Sequence, residues 1–206
     1  MSQKEEYTED EFLVPDDHII NEIRIRGSRF ITQVIPVTGK QEAENQYEQI
    51  RREYFNATHN CFAYRIDEQI FRYSDDGEPS GTAGRPILQV IDSFGLLQVL
   101  CVVTRYFGGT KLGTGGLIRA YSQAAREALQ RVKISKRLRG KSLYLSFNYD
   151  LENMIRKLLH DNQAVIQGCQ YGEQITMRIA VPLSRTDRFV NIIRVQFHHL
   201  VNLEEK

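Results

Sequence analysis

Two glycine-rich segments of the chain each lie between predicted extended structure and a predicted helix start. They are residues 74–86 (SDDGEPSGTAGRP) and residues 105–116 (RYFGGTKLGTGG). Glycine allows backbone N–H groups to face outward at close range, and the free N–H groups of a helix's first turn carry partial positive charge. Such junctions suit a phosphate or a carboxylate, although glycines that only form tight turns need no ligand.

The second segment lies in the basic part of the chain. Residues 100–141 contain ten Lys and Arg and one acidic residue, whereas the net charge of the whole chain is only +1. This distribution excludes a uniformly basic nucleic-acid coat but allows a local basic site. The candidate anion- or nucleic-acid-binding residues are four cations and five glycines: Arg105, Lys111, Arg119, Arg126, Gly108, Gly109, Gly113, Gly115 and Gly116. Four cations that neutralise about 4 phosphates of a single strand predict a slope of about −3 for log affinity against log salt.

The first segment carries three carboxylates, which allow a different kind of site. Asp75, Asp76 and Glu78 could hold a Mg²⁺ that bridges to phosphate oxygens, because hard cations bind clustered carboxylates. The alternative is that they only form turn and capping hydrogen bonds around Gly77. Counted from Gly108, the second segment has Thr114 where a P-loop requires Lys, and the run from Gly113 to Ile118 lacks the last glycine of a dinucleotide-binding fingerprint.

His59 and Cys61 are a third candidate pair. Two residues apart on a predicted strand, they share one face, as a nucleophile and its base would. No residue that would orient the histidine is identifiable from the sequence. A packed thiol beside a capping or surface histidine therefore remains the alternative.

Hydrophobic patterns predict the elements that position these residues. Residues 96–106 are almost continuously apolar, which predicts a central strand buried on both faces. From Leu117 to Val132 apolar residues recur at helical spacing, with Arg119, Gln123 and Arg126 on the opposite face. Behind the polar, basic residues 133–142 the elements restart in the order β-α-β-β-α-β, which is that of a ferredoxin-like sheet.

The sequence therefore predicts an α+β protein of two domains. We expect an acidic arm over residues 1–17 that contributes little to the fold, although Phe12, Leu13 and Val14 could dock it. A first domain over 18–138 and a second over 142–206 are expected to follow. No apolar run approaches the length of about 18 residues that crosses a bilayer, and the start lacks a signal peptide, so we expect a cytoplasmic protein with no membrane partner. The three cysteines, Cys61, Cys101 and Cys169, are expected to be buried free thiols.

Three strings in the first domain resemble the signature of the IMPACT family, bacterial members included. They are HNCFAY at 59–64, SDDGEPSGTAGRPIL at 74–88 and VVTRYFGGTKLGTGGLIRAY at 102–121. The family's motif residues in the first loop are Asp75, Asp76, Gly77, Glu78, Gly81 and Gly84. The motif residues of the second loop are Arg105, Gly108, Gly109, Lys111, Gly113, Gly115 and Gly116.

This resemblance implies a specific architecture and role. It implies an N-terminal domain similar to the second domain of ribosomal protein S5 and to domain IV of elongation factor G. It also implies a C-terminal ferredoxin-like domain similar to domain V of that factor. A role in the regulation of translation follows, with RNA or the ribosome as partner, no cofactor and no settled catalytic activity. Eukaryotic members restrain a kinase through an extra N-terminal domain, and we do not expect that pathway for this chain.

Three hypotheses remain after the sequence alone. The leading one is an RNA- or ribosome-associated binding protein. The rival is an enzyme that acts on a small phosphorylated or acidic metabolite with a metal at Asp75, Asp76 and Glu78. The third is a protein-interaction module that uses the C-terminal domain.

Overall fold

The computed structural model describes residues 10–205, which form two compact units. One unit is Phe12–Arg137, and the other combines Asp10 and Glu11 with the chain from Leu138 onward. Both units mix α-helices with antiparallel β-sheet, which confirms the predicted α+β class. No helix in this described range is long and apolar enough to cross a membrane.

A five-stranded antiparallel sheet forms the centre of the N-terminal unit. The elements of this unit in chain order are β1 (Glu11–Pro15), β2 (Ile19–Ile25), β3 (Ser28–Pro36), α1 (Lys40–Glu53), β4 (His59–Arg65), β5 (Phe71–Ser74), α2 (Gly84–Ser93), β6 (Val99–Tyr106), α3 (Thr114–Leu129) and β7 (Ile134–Leu138). The strand order in the sheet is β2-β3-β6-β4-β5. Strand β6 is central and buried on both faces, as its apolar run predicted.

Helices cover both faces of this sheet. Helices α2 and α3 pack on the face that carries Cys101 and Val103, and α1 packs on the face that carries Leu100 and Val102. The apolar stripe of α3 is buried from Leu117 to Leu129, as its helical spacing predicted. The opposite side of α3 therefore faces solvent and carries Arg119 and Arg126 of the basic segment.

The C-terminal unit is a four-stranded antiparallel sheet with two helices. Its elements are β8 (Gly140–Phe147), a short 3-10 turn (Tyr149–Leu151), α4 (Glu152–Asp161), β9 (Val165–Tyr171), β10 (Ile175–Pro182), α5 (Leu183–Gln196) and β11 (Val201–Glu205). The strand order is β11-β8-β10-β9, and every neighbouring pair is antiparallel. The inward side chains of the strands form one core with both helices, centred on Leu145, Met177 and Phe189.

Two segments expected to be irregular are strands. Residues 11–15 of the predicted acidic arm form β1, which pairs with β7 inside the predicted polar linker. The expectation of a small structural contribution was wrong here, because acids of the arm bind basic-segment groups. The Asp16 carboxylate accepts a hydrogen bond from Ser135 Oγ (2.6 Å), and the Asp17 carboxylate accepts one from the Lys133 N–H (3.0 Å). Residues 1–9 of the arm lie outside the described residues.

The arm also caps a helix of the C-terminal unit. The Asp10 carboxylate accepts hydrogen bonds from the Ser184 N–H (3.2 Å) and from Ser184 Oγ, at the start of α5. The Asp10 carbonyl accepts the N–H of Arg139 (2.6 Å). A carboxylate at the start of a helix satisfies a free N–H and stabilises the helix dipole.

Candidate anion-binding site

Asp75 organises the loop between β5 and α2. Its carboxylate accepts hydrogen bonds from the N–H groups of Gly81 (2.8 Å), Ala83 (2.9 Å) and Gly84 (2.9 Å). An added Cβ at Gly84 would lie 2.6 Å from the carbonyl oxygen of Ser74, so this position requires glycine. The glycine pattern suggested that the N–H groups of Gly81 and Gly84 could bind an anion. In the structure they donate to the Asp75 carboxylate instead.

Asp76 fixes the ring of His59. Asp76 has a left-handed backbone with φ of 40°, which Asp tolerates better than most residues, and Gly77 follows with φ of 87°. The Asp76 carboxylate accepts the N–H of Asn60 (2.6 Å), and its carbonyl oxygen lies 2.8 Å from His59 Nδ1. Because a carbonyl can only accept, Nδ1 carries the hydrogen, which leaves His59 Nε2 for another partner.

Glu78 and Arg105 form a buried ion pair. Arg105 Nη1 lies 2.5 Å from Glu78 Oε1, and Tyr121 Oη donates to the same carboxylate oxygen (2.8 Å). Arg105 is only 5% exposed, and its Nη2 donates to Ser28 Oγ (3.2 Å). A buried charge needs a partner of opposite charge, and Glu78 supplies it. The expectation that Arg105 faces outward as a free cation was therefore wrong.

The three carboxylates of the first loop do not fit the Mg²⁺ site suggested by their spacing. The Asp75 carboxylate is hydrogen-bonded to three backbone N–H groups, and the Asp76 carboxylate to the backbone N–H of Asn60. The Glu78 carboxylate is hydrogen-bonded to Arg105 and Tyr121. Within residues 10–205, no group of three or more His, Cys, Asp or Glu side chains is arranged to hold a metal ion. The geometry therefore does not support the hypothesis of a metal-dependent enzyme.

Gly108 is a packing residue rather than a ligand-facing one. An added Cβ would lie 1.8 Å from the carbonyl carbon of Gly27, in the turn between β2 and β3. The Gly108 N–H donates to Ser28 Oγ (3.2 Å) and is not available to a ligand. Its neighbour Gly109 has φ of 85° and no atom within 4 Å of an added Cβ.

A cleft of about 320 Å³ lies at the start of α3. Its polar wall includes His59, the Glu78–Arg105 pair and Lys111, and its apolar wall includes Phe107. The His59 Nε2 atom lies 3.8 Å from Glu78 Oε1 at this wall. Apolar walls with a few polar groups are typical of small-ligand clefts, whose volumes begin at about 300 Å³.

The amino end of α3 opens on this cleft. Gly113 and Thr114 line it, and Gly113, the residue before the helix, has φ of 71° and no side chain to cap the helix. The first intrahelical hydrogen bond is that of the Leu117 N–H to the Gly113 carbonyl (2.9 Å). The N–H groups of Thr114, Gly115 and Gly116 are therefore not used by the helix itself, and they carry the positive end of its dipole.

Arg119 and Arg126 lie on the exposed side of this helix, and Lys111 lies in the loop that precedes it. We call these three cations the α3 basic face. Arg119 Nη1 lies 3.6 Å from the position of an added Cβ on Gly115, so its guanidinium folds over the first turn. Arg126 is seven residues further on and lies on the same side of the helix. All three are exposed, and none of their side chains has a hydrogen bond or salt bridge to any residue of the described part of the chain. The structure places Arg119 and Arg126 on the exposed side of α3 and Lys111 at the cleft before it. Arg105 also lines this cleft, but its charge is paired with Glu78.

Sequence reasoning missed two members of the site. His59 was considered only with Cys61, whose Sγ donates to the Asp75 carbonyl (3.0 Å) instead, and Tyr121 was assigned only to the apolar stripe of α3. Both lie inside the strings that carry the family resemblance. Their partners are 17 and 43 residues away in sequence, so no local pattern could identify them.

The cysteines provide a test of the burial around this site. The pKa of the Cys61 thiol is raised, mainly by burial. Burial also raises the pKa of the Cys101 thiol to about 12. Cys169 is half-buried, so the expectation of a buried thiol was wrong at this position. Because the thiolate is the reactive form, we expect Ellman's reagent to titrate one thiol per native chain in mildly alkaline buffer and three in guanidinium chloride. A native count of three would contradict the burial of Cys61 and Cys101.

Comparison with known proteins identifies relatives for both units. The model described as the Impact N-terminal domain matches residues 26–129, and that described as a Domain of unknown function (DUF1949) matches residues 145–194. IMPACT family member YvyE of Bacillus subtilis is 40% identical over 171 residues, which are 82% of this chain and 79% of the relative. IMPACT family member YigZ of Escherichia coli is 32% identical over 182 residues, 86% and 89% of the two chains. A crystal structure of a hypothetical protein superposes with a TM-score of 0.67 at 30% identity, covering 97% of this chain and 98% of the other.

Proposed function

The chain belongs to the IMPACT family, and from this premise we propose that it is an RNA- or ribosome-binding protein that regulates translation. The observation that carries the binding proposal is the α3 basic face. Its three cations are exposed, and their side chains have no partner in the described residues. Lys111 lies just before the uncapped start of α3, and Arg119 and Arg126 lie on the helix itself. Cations that no acid neutralises are free to replace the counterions of a phosphate backbone.

The architecture supports the same role. In the C-terminal unit, the order β11-β8-β10-β9 with antiparallel neighbours supports assignment as a ferredoxin-like domain similar to domain V of elongation factor G. For the N-terminal unit, we propose the fold of the second domain of ribosomal protein S5 and of domain IV of that factor. Its layered sheet, with α1 on one face and α2 and α3 on the other, supports this assignment. A cytoplasmic location is part of this proposal.

The salt dependence of RNA binding tests the proposal. Since Arg105 is paired, three cations remain, and they predict a slope of about −2 for log affinity against log salt on single-stranded RNA. This corresponds to a loss of roughly 20-fold in affinity between 50 and 200 mM salt. Fluorescence anisotropy of a labelled single-stranded RNA measures it, with a peptide nucleic acid of the same base sequence as the uncharged control. A slope near zero, or equal binding of the uncharged control, would contradict a phosphate-binding surface.

A further inference from the structure

We propose that the cleft at the start of α3 binds one phosphate monoester, that of a nucleotide, with Phe107 against the attached base. The proposal rests on the proposed function, because it names the part of a nucleic acid that this site would take. Elsewhere along the α3 basic face, internal phosphates of the strand would be bound. The cleft, about 320 Å³ in volume, has room for one nucleotide and not for a duplex.

Unused donors line the cleft from more than one element. The first-turn N–H groups of α3 have no cap, and Lys111 Nζ has no partner in the described residues. Arg105 also lines the cleft, is 5% exposed, and its Nε has no hydrogen-bond partner in the described chain. A buried donor without an acceptor is costly, and this Nε of the cleft wall lacks an acceptor within the described chain. This unsatisfied Nε is an observation in the cleft wall that is independent of the helix start.

Glu78 does not prevent an anion from binding here. Its carboxylate lines the cleft, but its charge is matched by Arg105, and Tyr121 donates to the same oxygen. The ion pair therefore contributes no net charge to the cleft. Lys111 and the positive end of the α3 dipole remain, and both attract a phosphate.

His59 favours a monoester over an internal phosphodiester. Its Nδ1–H is held by the Asp76 carbonyl, so Nε2 is the atom that meets a ligand. A phosphate monoester has a second ionisation with a pKa of about 6, so near neutral pH it can share a proton with Nε2. A phosphodiester has no such proton. The monoester also offers three terminal oxygens to the donors of the cleft, one more than a diester.

Phe107 supplies an apolar surface at the cleft for a base. Its side chain is 47% exposed, which is unusual for Phe, and its backbone N–H is fixed by Thr58 Oγ1 (2.9 Å). The Arg105 guanidinium carbon lies 5.6 Å from the ring centroid, so one side of the ring already faces a cation. Stacking on such a ring accepts any base and would give the cleft no sequence preference.

The test compares two RNA tetranucleotides of one sequence, one with a 5′-phosphate and one with a 5′-hydroxyl, on the full chain by calorimetry. We expect the 5′-phosphorylated strand to bind at least about tenfold more tightly, the effect of a few charge-assisted hydrogen bonds. His59→Gln and Lys111→Ala should each reduce this ratio. Lys40→Ala removes the same charge on α1, across the sheet, and should leave the ratio unchanged. Thermal unfolding checks that each variant is folded.

Two further ligands identify the source of the phosphate and the role of Phe107. Adenosine monophosphate that competes as well as the 5′-phosphorylated strand would assign the site to free nucleotides and still support the proposal. Phe107→Ala should weaken the mononucleotide about tenfold and leave inorganic phosphate unchanged. Equal, salt-dependent binding of the two strands would overturn the monoester site and leave the proposed RNA binding intact. Binding of the mononucleotide alone would overturn the RNA proposal and not the site, and binding of neither would overturn both.

Discussion

Replacing Glu78 by alanine is expected to destabilise the chain by about 3–5 kcal/mol. The reason is that Arg105, only 5% exposed, would keep its charge with no partner, and Tyr121 would lose its acceptor. Removal of one member of a buried ion pair leaves an uncompensated charge, which costs far more than the pair contributes. Urea unfolding followed by circular dichroism measures the loss.

Two variants make this prediction specific. Glu48→Ala removes an exposed carboxylate whose partner Arg51 lies 3.6 Å away, and such surface pairs contribute about 0–1 kcal/mol. A double variant, Glu78→Ala with Arg105→Met, should be more stable than Glu78→Ala alone, because no buried charge is left unpaired. If Glu78→Ala costs no more than Glu48→Ala, the buried pair does not exist in solution.

Replacing Gly108 by alanine is expected to cost about 3 kcal/mol or more. The new Cβ would lie 1.8 Å from Gly27 C, 2.0 Å from Gly27 O and 2.2 Å from Ser28 N. All three are backbone atoms, so the β2-β3 turn must separate from the loop that precedes α3. Loss of the hydrogen bond from the Gly108 N–H to Ser28 Oγ would also disturb Ser28 as an acceptor for Arg105. Thermal unfolding measures the loss of stability.

Gly109→Ala is the matched control for this substitution. Gly109 has φ of 85° but no neighbour within 4 Å of an added Cβ, so only backbone strain of about 1–2 kcal/mol is expected. The two glycines are adjacent in sequence, but only at Gly108 would an added Cβ meet other backbone atoms. Equal losses from the two substitutions would mean that the close approach of Gly27 and Gly108 is not formed.

Hydrophobic periodicity was sufficient to predict the elements that carry the site. Strand β6 has an unbroken apolar run because it is buried on both faces, and the stripe of α3 has helical spacing because one side packs on the sheet. The same pattern correctly assigned Arg119 and Arg126 to the exposed side. Periodicity reports which apolar side chains are buried. It therefore predicts an element correctly where burial alone decides its structure.

Periodicity failed where polar contacts decide the structure. Arg105 occupies a strand position that is charged and yet buried, and its partner Glu78 is 27 residues away. β1 (EFLVP) lies in an otherwise acidic arm and β7 (ISKRL) is basic, and both are strands because they pair with each other. His59 belongs to the cleft through the carbonyl of Asp76, which has no signature in the sequence.

The most direct test of RNA binding by the α3 basic face is the affinity of a triple variant for the same labelled single-stranded RNA. Lys111→Ala, Arg119→Ala and Arg126→Ala together should lower affinity at 50 mM salt at least about tenfold and reduce the steepness of the salt slope by about 2. The matched control removes three cations from α1 on the opposite face of the sheet, Lys40→Ala, Arg51→Ala and Arg52→Ala, and should bind within about twofold of the unmodified chain. The assignment of RNA binding to this face would be contradicted if the first variant bound RNA as tightly as the unmodified chain. It would also be contradicted if both triple variants lost the same amount of affinity.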